Sequence, residues 1–140
     1  MKKDVFISIT GIQGAEGVED SIEFSTLGSM ESDEGGIRLC YDESKILGAD
    51  GIITTLNLQS DGSAVLERSG SVCSRLILQP GRRNNCIYGS PHGDFMIGIY
   101  CDFVKNELGE NGGKVEMSYT LDSNFREISK NNVTIIVKEV

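Results

Sequence analysis

The chain has 140 residues, 39% hydrophobic and 24% charged, which suits one domain over 1–140 with its own core and excludes wholesale disorder. Lys and Arg number 13 against 21 Asp and Glu, a formal charge of −8 concentrated in the first 50 residues. Such a field disfavours nucleic acid and anionic lipid, so neither is an expected partner.

In chain order, Val5, Ile7 and Ile9 alternate with Phe6, Ser8 and Thr10, the period of a half-buried strand. The same stretch lacks the continuous apolar run of a signal peptide, and no segment nears the ~18 apolar residues of a membrane helix. A cytoplasmic location is therefore expected. Gly14–Asp20 reads as an acidic, glycine-containing loop, followed by a strand on Ile22, Phe24 and Thr26. Glu31–Gly36 reads as a second such loop, followed by a strand on Ile37, Leu39 and Tyr41. Asp42–Gly48 is the one candidate helical turn, with Asp42 as N-cap and Gly48 as C-cap.

Ile52, Thr54, Leu56 and Leu58 resume the alternation, and Asp61–Gly62 fits a two-residue primed turn. A run ending at Arg68, then Gly70, then Val72–Leu78 give two more strands. Phe95, Ile97, Ile99, Cys101 and Phe103 mark a long strand, as do Val115, Met117, Tyr119 and Leu121. Gly109–Gly113 breaks these two. Ser123–Asn124 and Asn131–Asn132 are turn or bulge candidates before the last strand on Val133, Ile135 and Val137. With 17 Gly and 2 Pro, the pattern is all-β and antiparallel, about 8–10 strands with little helix. Closure into a barrel removes every exposed edge; a sandwich has the same periodicity.

Few residues carry chemistry. Cys40, Cys73, Cys86 and Cys101 form no CxxC pair, and His92 is the single imidazole. No metal site or cofactor is therefore called for, and the cysteines read as buried or half-buried free thiols. No nucleophile motif or phosphate loop is present, so no catalytic residue is assigned. His92 lies on a Pro–His–Gly turn with Asp94 two residues on. Arg82–Arg83 reads as a turn decorated with arginine.

Arg68 shares its strand face with Ala64 and Leu66. If that face is inward, its planar fork is the best holder of an anionic group, with Glu43 or a tyrosine as partner. Tyr41, Tyr88 and Tyr119 are the phenols placed to join it. The candidate ligand residues are thus Arg68, Tyr88, Tyr119, Glu43, Tyr41 and His92.

Leu66–Gly70, Leu78–Gly81, Tyr88–Gly93, Gly112–Val115 and Tyr119–Leu121, in this order and spacing, resemble the YwiB family of small uncharacterised bacterial proteins. The resemblance covers about residues 5–138 and implies a calycin-like, lipocalin-type barrel with no established activity. Its pattern falls on Arg68, Gly70, Tyr88, Pro91, Gly93, Gly113 and Tyr119. The leading expectation is a non-enzymatic barrel that binds a small molecule with an anionic end. The alternatives are a structural or protein-interaction module, a homodimer included, and an enzyme in which Arg68, Glu43 and His92 converge.

Overall fold

The computed structural model describes residues 2–15, 17–42, 52–70, 73–90 and 93–140. They form ten strands: β1 Lys2–Ala15, β2 Val18–Asp33, β3 Gly36–Asp42, β4 Ile53–Gln59, β5 Ala64–Ser69, β6 Cys73–Leu78, β7 Arg83–Ser90, β8 Gly93–Gly109, β9 Gly112–Ser123 and β10 Arg126–Glu139. Each strand pairs with its sequence neighbours, and β1 also pairs with β10, so the sheet closes as an up-and-down barrel. Among the described residues no helix is long and apolar enough to cross a membrane.

Period two decides the interior. On β1, Val5, Ile7 and Ile9 point inward and are buried, while Phe6 between them is half exposed on the outside. The same parity buries Leu39 and Tyr41, then Thr54, Leu56 and Leu58, then Ala64 and Leu66. It also buries Ile99 and Cys101, Val115, Met117 and Tyr119, and Ile135 and Val137. One end of the barrel, here the base, carries the β2–β3, β4–β5, β6–β7 and β8–β9 connections. The other end, the mouth, is where β1, β3, β5, β7 and β9 finish.

Several expectations are corrected. The Gly14–Asp20 loop is a tight connection, because β1 runs to Ala15 and β2 starts at Val18. Glu31–Gly36 shrinks likewise: Asp33 ends β2, and its carboxylate accepts the Gly35 and Gly36 N–H groups to form the turn. Asp61–Gly62 sits in a four-residue loop, where Asp61 accepts from the Ser63 N–H and Ser63 Oγ. Asn131–Asn132 is no turn: both pair with β9 inside β10, and the register shift falls between Glu127 and Ser129. Ser123–Asn124 does turn, with Asn124 and Phe125 both at positive φ. Cys73 is exposed, whereas Cys86 and Cys101 are buried and Cys40 is half-buried; all four are free. Burial in the core raises the Cys101 thiol pKa. The candidate helical turn at Asp42–Gly48 lies, apart from Asp42, outside the described residues.

Arg83 is not a turn ornament. On the outer face its Nε and Nη2 donate to the two Asp122 oxygens at 2.9 and 2.6 Å. The Phe125 N–H donates to the same carboxylate at 3.1 Å, and the Phe125 ring lies 3.9 Å from the guanidinium carbon. The fork crosses β8 directly over Gly98, where a Cβ would collide with both the guanidinium and the carboxylate. Gly98 therefore serves a close side-chain crossing. The hydrogen bond from Arg83 holds the Asp122 carboxyl below its ordinary pKa.

Candidate functional site

Register places a polar row across the mouth half of the interior. Tyr41 on β3 is opposite Thr54 on β4, which is opposite Arg68 on β5. Arg68 is in turn opposite Ser74 on β6, and Ser74 is opposite Tyr88 on β7. Arg68 thus takes the inward option that its strand face with Ala64 and Leu66 left open. It is half-buried, Thr54 is fully buried and Ser74 is 7% exposed. The Thr54 and Ser74 hydroxyls have no hydrogen-bond partner among the described residues. A buried hydroxyl without a partner costs about 1–3 kcal/mol relative to one that is bonded, so this pair is expensive to keep.

Beside the row lies a cavity of about 170 Å³. Arg68, Tyr41 and Leu66 line it from the short strands β3 and β5. Ile9, Phe24, Met117 and Ile135 line it from the long strands β1, β2, β9 and β10. Tyr119 and Asn131, partners across β9 and β10, add a phenol and an amide. Asp20 stands on the mouth side of the same cavity. The Phe24 and Tyr41 rings are tilted by 53° with centroids 6.3 Å apart, the arrangement that the aromatic quadrupole favours.

Of the six sequence candidates, Arg68, Tyr41 and Tyr119 meet in this one cavity. Tyr88 lies on the polar row but outside the cavity lining. Glu43 and His92 fall outside the described residues; their chain neighbours Asp42 and Gly93 end β3 and begin β8 on the mouth side. Thr54, Ser74, Phe24, Asn131 and Asp20 were not singled out as site residues. Alternation was the available signal for two of them: Thr54 shares parity with Leu56 and Leu58, and Ser74 with Leu76 and Leu78. Among the described residues no group of three His, Cys, Asp or Glu side chains is gathered as a metal site.

A closed, ten-stranded, up-and-down barrel with an apolar cavity and one inward arginine row is the class defined by this fold and site. The chain belongs to DUF1934, a domain-of-unknown-function family whose model matches residues 7–135. It is similar in structure to the ywiB protein from Bacillus subtilis, with a TM-score of 0.87. The two are 20% identical, over 99% of this chain and 93% of that one. The YwiB-like resemblance read from the motifs is thus borne out. At that identity the likeness speaks for the fold alone. No curated protein matches the chain.

Proposed function

We propose that the protein is a non-enzymatic binding barrel, lipocalin-like in holding a small molecule in its mouth. The ligand has an apolar body and an anionic end held by Arg68. One observation carries this reading: an arginine faces inward onto a mainly apolar cavity. A guanidinium that lines such a cavity offers a planar fork matched to a carboxylate or phosphate, and the aliphatic and aromatic wall receives the rest of the ligand.

A thermal-shift screen of small carboxylates, phosphates and sulfonates tests it. A bound ligand raises Tm by mass action. The wild type gains several degrees with at least one anion, and Arg68→Met, which keeps the apolar stem, gains none. A screen in which no anion gives an Arg68-dependent shift ends the proposal.

A second reading, self-association, is favoured by a different observation. On the outer face Phe6 and Leu27 are opposite one another and largely exposed, with Ile136 diagonal to Phe6. Light scattering on a sizing column shows a dimer if this patch is an interface; a monomer at high concentration removes it.

A further inference from the structure

We infer that the open edge of β2, above the end of β3, docks an extended peptide segment that alternates basic and apolar side chains. The segment adds to the barrel wall as a further strand. This goes beyond the binding-barrel reading and holds whether or not a small molecule occupies the cavity.

The edge comes first. β2 is paired with β1 from Val18 to Glu31, but with β3 only from Gly28 to Asp33. From Val18 to Leu27 its far side has no paired strand among the described residues. Every residue from Val18 to Glu23 is exposed, as is Leu27. In an antiparallel ladder, alternate residues turn their N–H and C=O groups away from the partner strand. This stretch therefore presents a row of main-chain donors and acceptors, long enough to receive a strand of ordinary length. Strand addition draws affinity from such groups and specificity from alternate side chains.

Register with β1 fixes what those side chains meet. Ile9 is opposite Phe24, Gly11 opposite Ile22 and Gln13 opposite Asp20. Phe24, Ile22 and Asp20 thus face inward, on the lining of the cavity. Glu23 and Glu19, opposite Thr10 and Gly14, face outward. Ile22 is 52% exposed and Phe24 half-buried, an apolar rim that an incoming side chain can cover. Side chains directly opposite on paired strands interact, opposite charges favourably and like charges unfavourably. An added strand meets Ile22 and Phe24 on one face and the two glutamates on the other.

Charge selects the occupant. From Phe6 to Leu27 the sequence contains no Lys or Arg, while Glu19, Asp20 and Glu23 stand on the open edge. A second copy would bring the same acids to the same edge, on a chain that also carries a charge of −8. The acids therefore guard the edge against self-pairing. They favour a strand whose outward face carries lysine or arginine and whose inward face is apolar.

An end-capped octapeptide alternating lysine and valine is the probe. Its comparators are a block isomer of the same composition and an octapeptide alternating glutamate and valine. Calorimetric titration measures affinity, and residue-resolved hydrogen exchange locates the site. The wild type is expected to bind the alternating lysine peptide at least about tenfold more tightly than either comparator. Binding should slow exchange at β2 amides between Val18 and Leu27. The variant Glu19→Lys/Glu23→Lys should bind that peptide at least about tenfold more weakly and prefer the glutamate peptide. Glu19→Gln/Glu23→Gln, which removes the charges without reversing them, should fall between.

Absence of binding, equal affinity for the block isomer, affinity unchanged in both variants, or protection that falls away from the β2 edge overturns the inference. Protection of the same β2 amides that rises with protein concentration, without peptide, also overturns it and makes a second copy the occupant.

Discussion

Toward the base, Leu56 on β4 is opposite Leu39 and Leu66, and Leu58 is opposite Ile37 and Ala64. Two residues along the same strand toward the mouth, Thr54 is opposite Tyr41 and Arg68. One β4 strand thus serves two interiors, one filled with aliphatic side chains and one carrying hydroxyls, phenols and a guanidinium. The β3–β4–β5 ladder runs without a break through both halves, so along it the difference lies in which residues occupy the inward positions. The filled half supplies stability, and the polar half keeps groups that a stability-optimised core would not contain.

Matched substitutions at facing positions are the strongest way to break that comparison. Leu56 is fully buried away from the cavity, whereas Leu66, its partner across the ladder, lines the cavity. Leu56→Ala is expected to cost about 2–5 kcal/mol in denaturant unfolding. Leu66→Ala should fall at the low end of that range, because the space it vacates joins an existing cavity. Equal losses would show that the two halves are packed alike.

The opposite sign is expected one step along β4. Thr54→Val replaces a buried hydroxyl that has no partner among the described residues with a methyl group and should raise stability by about 1 kcal/mol, read from the denaturant midpoint. A loss of similar size would mean that the hydroxyl already has a partner in the unliganded protein.

A smaller effect sharpens what holds the wall together from outside. Gly98→Ala forces the Arg83 fork off Asp122, so it should lower Tm by a few degrees, about the effect of a single modest interaction at this chain length. In an Arg83→Ala background the same change should cost markedly less, since the clash partner has gone. Full additivity would dissociate Gly98 from the clamp.

The smallest effect is the pH dependence. Arg83 lowers the Asp122 pKa in the folded chain from its ordinary value of 3.8. The clamp therefore stabilises fully above that ordinary value, and its contribution fades as pH falls through the lower folded value. The Tm difference between wild type and Asp122→Asn, present at neutral pH, should shrink below about pH 4. A difference that is constant down to pH 2 would show that the charge of Asp122 contributes nothing.

Alternation in the sequence made most of this barrel legible. It placed the inward faces of β1, β3, β4, β9 and β10, and that of β8 as far as Cys101, beyond which a bulge sets Phe103 opposite Ser118 and turns Val104 to the core instead; it also set Arg68 beside Ala64 and Leu66 and Tyr119 beside Met117. What it missed depends on register and on contacts between distant strands. Thr54 counts in a sequence as an ordinary strand former, and Ser74 lies in a run read simply as a strand; neither is conspicuous until pairing sets both against Arg68. The Arg83–Asp122 clamp joins residues 39 positions apart across an intervening strand, so no local spacing announces it. Asn131 and Asn132 misled because asparagine favours turns, and here β10 pairing with β9 overrides that propensity.

The wall is laced unevenly. Every residue of β1 is matched to one on β2, whereas among the described residues β6 meets β7 at Cys73–Gly89 and Ser74–Tyr88. In a ring the thinnest seam sets where the circle first parts, and here that seam runs beside Ser74. Thermal breathing of the barrel should then begin next to the arginine row and spare the β1–β2 ribbon.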